Sequence, residues 1–137
     1  SGLPPENVLK VPGAHHYQYT DPKFINQKRI KINFGSIRFL LSHVPRKHQY
    51  DSENDISIEN LISSHSIDAL LYGHTHEFQI KFDNDSNILY LNPGHLKDFD
   101  AQGTPPTFAY LEIENNKMSA IIYNLFFYSL LERRYIL

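Results

Sequence analysis

Residues 29–34 alternate strictly, with Ile30, Ile32 and Phe34 set against Arg29, Lys31 and Asn33. A period of two predicts a half-buried strand. Gly35-Ser36 fits a two-residue turn with glycine first, and the apolar run 37–42 returns as the partner strand. The period then changes. Ile58, Leu61 and Ile62 stand at i, i+3 and i+4, which predicts a short helix over 57–64 with Asp55 or Ser57 as its cap. Residues 67–72 read as a buried strand. Two more hairpins follow, 78–82 with 88–91 around Asn84-Asp85-Ser86, and 107–113 with 118–125 around Asn115-Asn116. A short buried strand is expected at 8–11, and polar loops at 46–55 and 95–106. The last twelve positions, 126–137, are apolar for a terminus. Leu130, Leu131, Arg134 and Tyr135 share one helical face, whereas Phe126, Phe127 and Ile136 also fit a strand. This tail is expected to pack on the domain's own core, the alternative being a partner surface.

Composition sets bounds on this mostly stranded pattern. At 137 residues, with 41% hydrophobic and 13% aromatic positions, the chain is expected to form a single domain, 1–137, with one core. A formal net charge of -2 offers no electrostatic case for nucleic acid or an anionic membrane. The absence of cysteine excludes disulfides and zinc–thiolate sites. No apolar run is long enough to cross a bilayer, so a cytoplasmic location is the expectation.

The chemistry concentrates in histidines that follow apolar runs. Gly73-His74-Thr75-His76 follows 67–72 directly. On an extended backbone, His74 and His76 would face the same side with Cα atoms roughly 6.6 Å apart. That suits two ions held roughly 3.5–4 Å apart. The run 39–42 ends in His43, 8–11 leads into Pro12-Gly13-Ala14-His15-His16, and 88–91 leads into Asn92-Pro93-Gly94.

This ordered set resembles the calcineurin-like metallophosphoesterase superfamily, in particular its small phosphodiesterase-type and retromer-subunit-like members, from about residue 8 to 125. The resemblance implies the C-terminal half of a four-layer αββα sandwich, an α/β (α+β) fold rich in hairpins. It also implies a hydrolase of phosphodiesters or phosphomonoesters. By resemblance, His76 binds a first divalent metal, and His74 and His43 bind a second, with Mn, Fe, Zn or Ni as candidates. His15 would stabilise phosphoryl charge or protonate the leaving oxygen. Asn92 and Gly94 would shape a loop beneath the metals. The family's Asp-x-His and Gly-Asp-x-x-Asp segments do not occur here, and Ala14 stands where the family has a ligand Asn. The chain alone is therefore expected to bind one metal weakly, needing a missing N-terminal half or a second copy to act. The alternative is a non-catalytic scaffold of the same fold, like the small retromer subunit, with a protein partner at 126–137.

The remaining residues divide as follows. His16 is expected beside His15, or as a substitute for the lost Asn. His48 and His65 read as surface or helix-end residues, and His95 as a candidate for the site mouth. Tyr17, Tyr19 and Tyr50 read as aromatic packing, with a base-binding pocket as the alternative.

Overall fold

Three parallel strands organise this protein. The computed structural model describes residues 4–24, 27–97, 103–125 and 129–136. Strands β1 (Arg29–Phe34) and β2 (Ile37–Ser42) form the first hairpin, in register from Arg29↔Ser42 to Phe34↔Ile37. Gly35 turns between them at φ 59°, a conformation that costs glycine little. β3 (Ala69–Leu71), β4 (Gln79–Asp83) and β5 (Ile88–Asn92) complete a five-stranded sheet of order β1-β2-β3-β5-β4. Within it, β2, β3 and β5 run parallel, with Leu41, Leu71 and Leu91 in one row. A second, antiparallel sheet holds β6 (Thr107–Glu114), β7 (Lys117–Asn124) and β8 (Ser129–Ile136). Asn115 and Asn116 join β6 to β7 with φ of 49° and 61°, the paired left-handed residues of a type I′ turn.

The helical pattern is realised as α2 (Ile58–Ser63); a shorter helix, α1 (His16–Tyr19), precedes β1. Ser57 is the cap of α2, its Oγ accepting the Asn60 N–H at 3.2 Å. Asp55, the other candidate, is instead paired with Lys28.

β2 and β3 are buried on both faces, and each face belongs to a different core. On one side Ile37, Phe39, Ala69, Leu89 and Leu91 meet Met118, Ala120 and Ile122 of the second sheet. On the other, Leu40, Leu70 and Ile88 meet Ile58 of α2 and Ile67. The described layers are thus helix, sheet and sheet, with the two sheets facing each other as expected for the C-terminal half of an αββα sandwich.

One expectation changes and one open alternative is resolved. Residues 8–11 form no strand: Leu9 is 51% exposed and no described residue pairs with the segment. Four extended residues become a strand only when a neighbour takes up their N–H and C=O groups. In the tail, the stranded alternative holds for 129–136, which pairs antiparallel with β7. Phe126, Phe127 and Leu137 lie outside the described residues. The loop at 46–55 is as expected, and 95–97 and 103–106 carry no regular structure. No helix among the described residues is long and apolar enough to cross a membrane.

Candidate metal centre

Because β2, β3 and β5 are parallel and in register, their C-terminal ends open on one edge of the sheet. This is where open α/β sheets collect ligand-binding loops. β2 delivers His43 there, β3 delivers Gly73 and His74, and β5 delivers Asn92 and the turn that follows. The Gly73 N–H donates to the His43 carbonyl at 3.1 Å, which ties the first two loops together.

The Gly-His-Thr-His segment is not extended. β3 ends at Leu71, and His74 and His76 both adopt left-handed backbone, with φ of 69° and 62°. The expectation that an extended backbone aims both rings to one face is therefore corrected. Each non-glycine residue in this region costs on the order of 1 kcal/mol. The turn is held from below by Asn92, which is fully buried. Its Nδ2 donates to Thr75 Oγ1 at 2.8 Å and to the Gly73 carbonyl at 3.3 Å, and its Oδ1 accepts the Gly94 N–H at 2.9 Å. Asn92 thus shapes the loop, as its place in the Asn-Pro-Gly motif suggested. Asn92→Ala is expected to cost about 1–3 kcal/mol, because three groups each lose a hydrogen bond. Urea denaturation checks this, and an unchanged midpoint would show that the turn holds itself.

The two rings part company. His74 Nδ1 lies 3.4 Å from His43 Nε2, with the rings edge-on at 5.3 Å between centroids. His76 instead packs against His95, centroids 5.5 Å apart. His95 is 7% exposed and stands behind the site, its Nε2 3.0 Å from both the carbonyl and Oγ1 of Thr104. His15 is exposed and stacks on Tyr17 at 5.8 Å. Of the other residues singled out, Tyr19 is core packing, and His65 closes the C-terminal end of α2.

His48 is the residue that sequence reasoning missed. It is half-buried, with its ring 6.2 Å from His74, 5.0 Å from Tyr19 and 5.3 Å from Tyr50. Nothing in its local sequence signals this, because a polar loop folds back to put it there. Burial, and then the imidazoles of His74, His15, His48 and His76, push the pKa of His43 below the ordinary value. Burial, and then His48, His76 and His15, do the same for His74. Both rings are thereby favoured in the neutral form, the form that ligates metals.

The family profile of the calcineurin-like phosphoesterase superfamily domain matches residues 6–116. The chain belongs to the calcineurin-like phosphoesterase superfamily. Solved structures agree on the fold. Vacuolar Protein Sorting 29 from Cryptosporidium parvum is 23% identical, with a TM-score of 0.61 over 80% of this chain and 57% of that one. A conserved uncharacterized protein from Streptococcus pneumoniae, described as a predicted phosphoesterase, is 18% identical, with a TM-score of 0.59 over 79% and 61%. Wild-type Vps29 from Entamoeba histolytica, solved in complex with Zn2+, is 21% identical, with a TM-score of 0.54 over 79% and 59%. The chain therefore spans between 57% and 61% of the length of these three structures. No curated protein matches.

Calcineurin-like phosphoesterases generally use divalent metals, and the donor set here fits that chemistry in part. Two Zn–N bonds of 2.0–2.1 Å at the tetrahedral angle span roughly 3.3 Å between nitrogens. The His43–His74 separation of 3.4 Å is that span. No group of three or more His, Asp or Glu side chains able to hold a metal forms among the described residues. The chain thus supplies a preformed pair rather than a closed site.

Proposed function

We propose that this chain, as one unit over 1–137, carries the imidazole share of a metal-dependent phosphoesterase centre acting on phosphodiesters or phosphomonoesters. His43 and His74 would hold one divalent metal, with Mn, Fe, Zn or Ni as candidates, and His76 would serve a second. His15 would meet the phosphoryl group, stabilising its charge or protonating the leaving oxygen. A bound metal would lower the pKa of its water and polarise the phosphoryl oxygens. The chain's own part is to hold two neutral imidazoles at ligand spacing and to keep the His74 turn fixed through Asn92. The observation that carries this reading is the 3.4 Å separation of His43 Nε2 and His74 Nδ1.

A structural site needs at least three protein ligands, so the isolated chain is expected to bind a single metal weakly. The carboxylates of the full centre would come from a further segment or a second copy. Calorimetric titration with Zn2+ is expected to show one weak site, with affinity lowered about 10- to 100-fold by His43→Ala or His74→Ala. Hydrolysis of bis-p-nitrophenyl phosphate with added Mn2+ is expected only when the missing ligands are supplied. Zn2+ affinity indifferent to both substitutions would sink the assignment.

A second reading, a protein-binding scaffold, has one observation in its favour. A cleft of about 600 Å³ between the two sheets is lined by Phe34, Phe39, Leu71, Leu111 and Ile113, and Phe34 is 51% exposed. Apolar surface of this kind marks contact sites. Sedimentation of the chain would show whether a second copy covers it.

A further inference from the structure

A groove of about 540 Å³ runs from His74 and Thr75 along the 44–49 loop, lined by Val44, Pro45, Arg46, Lys47, His48 and Gln49. It opens directly beside the imidazole pair, and its loop wall is cationic. We propose that this groove is an anion subsite for a second phosphate on the substrate, with Arg46, Lys47 and the Nε2–H of His48 as donors. The proposal rests on the phosphoesterase reading and narrows its substrate class to phosphoesters that carry an additional phosphate.

Three observations support it. The loop backbone is fixed at several points. Ser42 Oγ donates to the Val44 carbonyl at 2.7 Å, the Lys47 N–H to Glu59 Oε1 at 2.8 Å, and the His48 N–H to Asp51 Oδ2 at 2.8 Å. Asp51 is itself locked by Arg29 at 2.6 Å. A fixed loop binds without the entropy cost of ordering it. Next, Arg46 and Lys47 are exposed, and no described residue forms an ion pair or hydrogen bond with either cationic head. Cationic donors without internal acceptors are the groups that form strong charge-assisted bonds to phosphate. Lys47 also borders the neighbouring cavity with Glu53 and Glu59, so Arg46 and His48 are the principal donors.

The tautomer of His48 is the third observation. The Tyr50 N–H donates to His48 Nδ1 at 3.3 Å. A ring nitrogen that accepts carries no proton, so the proton of the neutral ring sits on Nε2. That N–H has no partner among the described residues, and the side chain lines the groove. His48 thus presents a donor to an anionic oxygen beside His74.

Calorimetric titration of the metal-free chain with inorganic phosphate and with pyrophosphate, at constant ionic strength, tests this. Pyrophosphate is expected to bind about tenfold more tightly than phosphate, which corresponds to roughly 1.4 kcal/mol. In R46Q/K47Q the ratio is expected to fall to about one. K31Q/K81Q removes the same charge from exposed positions on β1 and β4 and is expected to keep the ratio. A wild-type ratio near one overturns the subsite alone, and so does a ratio that persists in R46Q/K47Q or is equally lost in K31Q/K81Q. Failure of the wild type to bind either anion also overturns the subsite, whereas the phosphoesterase reading beneath it fails separately, on Zn2+ affinity indifferent to His43→Ala and His74→Ala.

Discussion

Arg29→Met is expected to destabilise the protein by about 3–5 kcal/mol. Lys28, just before β1, and Arg29, its first residue, form two buried ion pairs with the loop that follows β2. Lys28 Nζ lies 2.6 Å from Asp55 Oδ2, with the two side chains 5% and 3% exposed. An Arg29 guanidinium nitrogen lies 2.6 Å from Asp51 Oδ2, at 2% and 5%. Two further contacts are local, Arg29 donating to the Ile56 carbonyl at 2.8 Å and Lys28 to the Tyr50 carbonyl at 3.0 Å, while Arg29 Nε is buried without a hydrogen-bond partner among the described residues. Lys28 also sits over the Tyr19 ring at 5.1 Å. Burial, opposed in part by Arg29, pushes the Tyr19 phenol up to about 12, so it stays protonated.

Taking away one cation leaves a carboxylate stranded without water, which is the costly half of the balance; the intact pair itself contributes little net stability. Arg29→Met with Asp51→Leu is therefore expected to cost less than the sum of the single changes. The measurement is a urea double-mutant cycle. A single-variant cost below about 1 kcal/mol would mean that water reaches the pair. Asp51 also accepts the His48 N–H, so Arg29→Met should loosen the groove as well. Burial alone would raise the pKa of Asp55, but hydrogen bonds from Lys28 and Ser52 hold it below 3.8. Its contribution is thus full above that unfolded value and is lost as pH falls through the lower folded one.

Gly94→Ala is the second large effect, with an expected cost of about 3 kcal/mol or more. Gly94 has φ +90°, and a Cβ there would lie 2.0 Å from Thr107 Oγ1 and 3.4 Å from Phe78 Cβ. Thr107 cannot yield easily. It is 1% exposed, its Oγ1 donates to the Pro93 carbonyl at 2.7 Å, and its N–H donates to the His95 carbonyl at 2.7 Å. The backbone must shift instead, which pulls the Gly94 N–H from Asn92 and frees the turn that carries His74. Zn2+ affinity should fall together with stability. Thr107→Ala removes the nearest clashing atom and should recover part of the loss in the double variant. Wild-type stability of Gly94→Ala would show that the Asn-Pro-Gly loop is slack and that Asn92 acts alone.

Much of this architecture is legible in local pattern. The bounds 29–34 and 37–42 are those of β1 and β2, because alternation and a glycine turn are properties of neighbouring residues. Asn115-Asn116 signals its hairpin for the same reason, since asparagine tolerates the left-handed backbone that the turn requires. Gly-His-Thr-His and Asn-Pro-Gly, by order and spacing, point to the family whose profile matches residues 6–116.

What the chain's order determined, then, is the set of elements and the residue types at the sheet edge. Tertiary structure decided which of those residues meet. The left-handed turn that parts His74 from His76 is held by Asn92, seventeen residues beyond Thr75. His48 joins the site because Asp51 is drawn to Arg29, 22 residues away in sequence. The arginine that opens an alternating strand is buried only because that partner exists. Residues 8–11 show the converse, a strand-like run that no described residue pairs with. In each case the deciding partner is distant along the chain, and hydrogen bonds and ion pairs act over a few ångströms of space rather than over sequence.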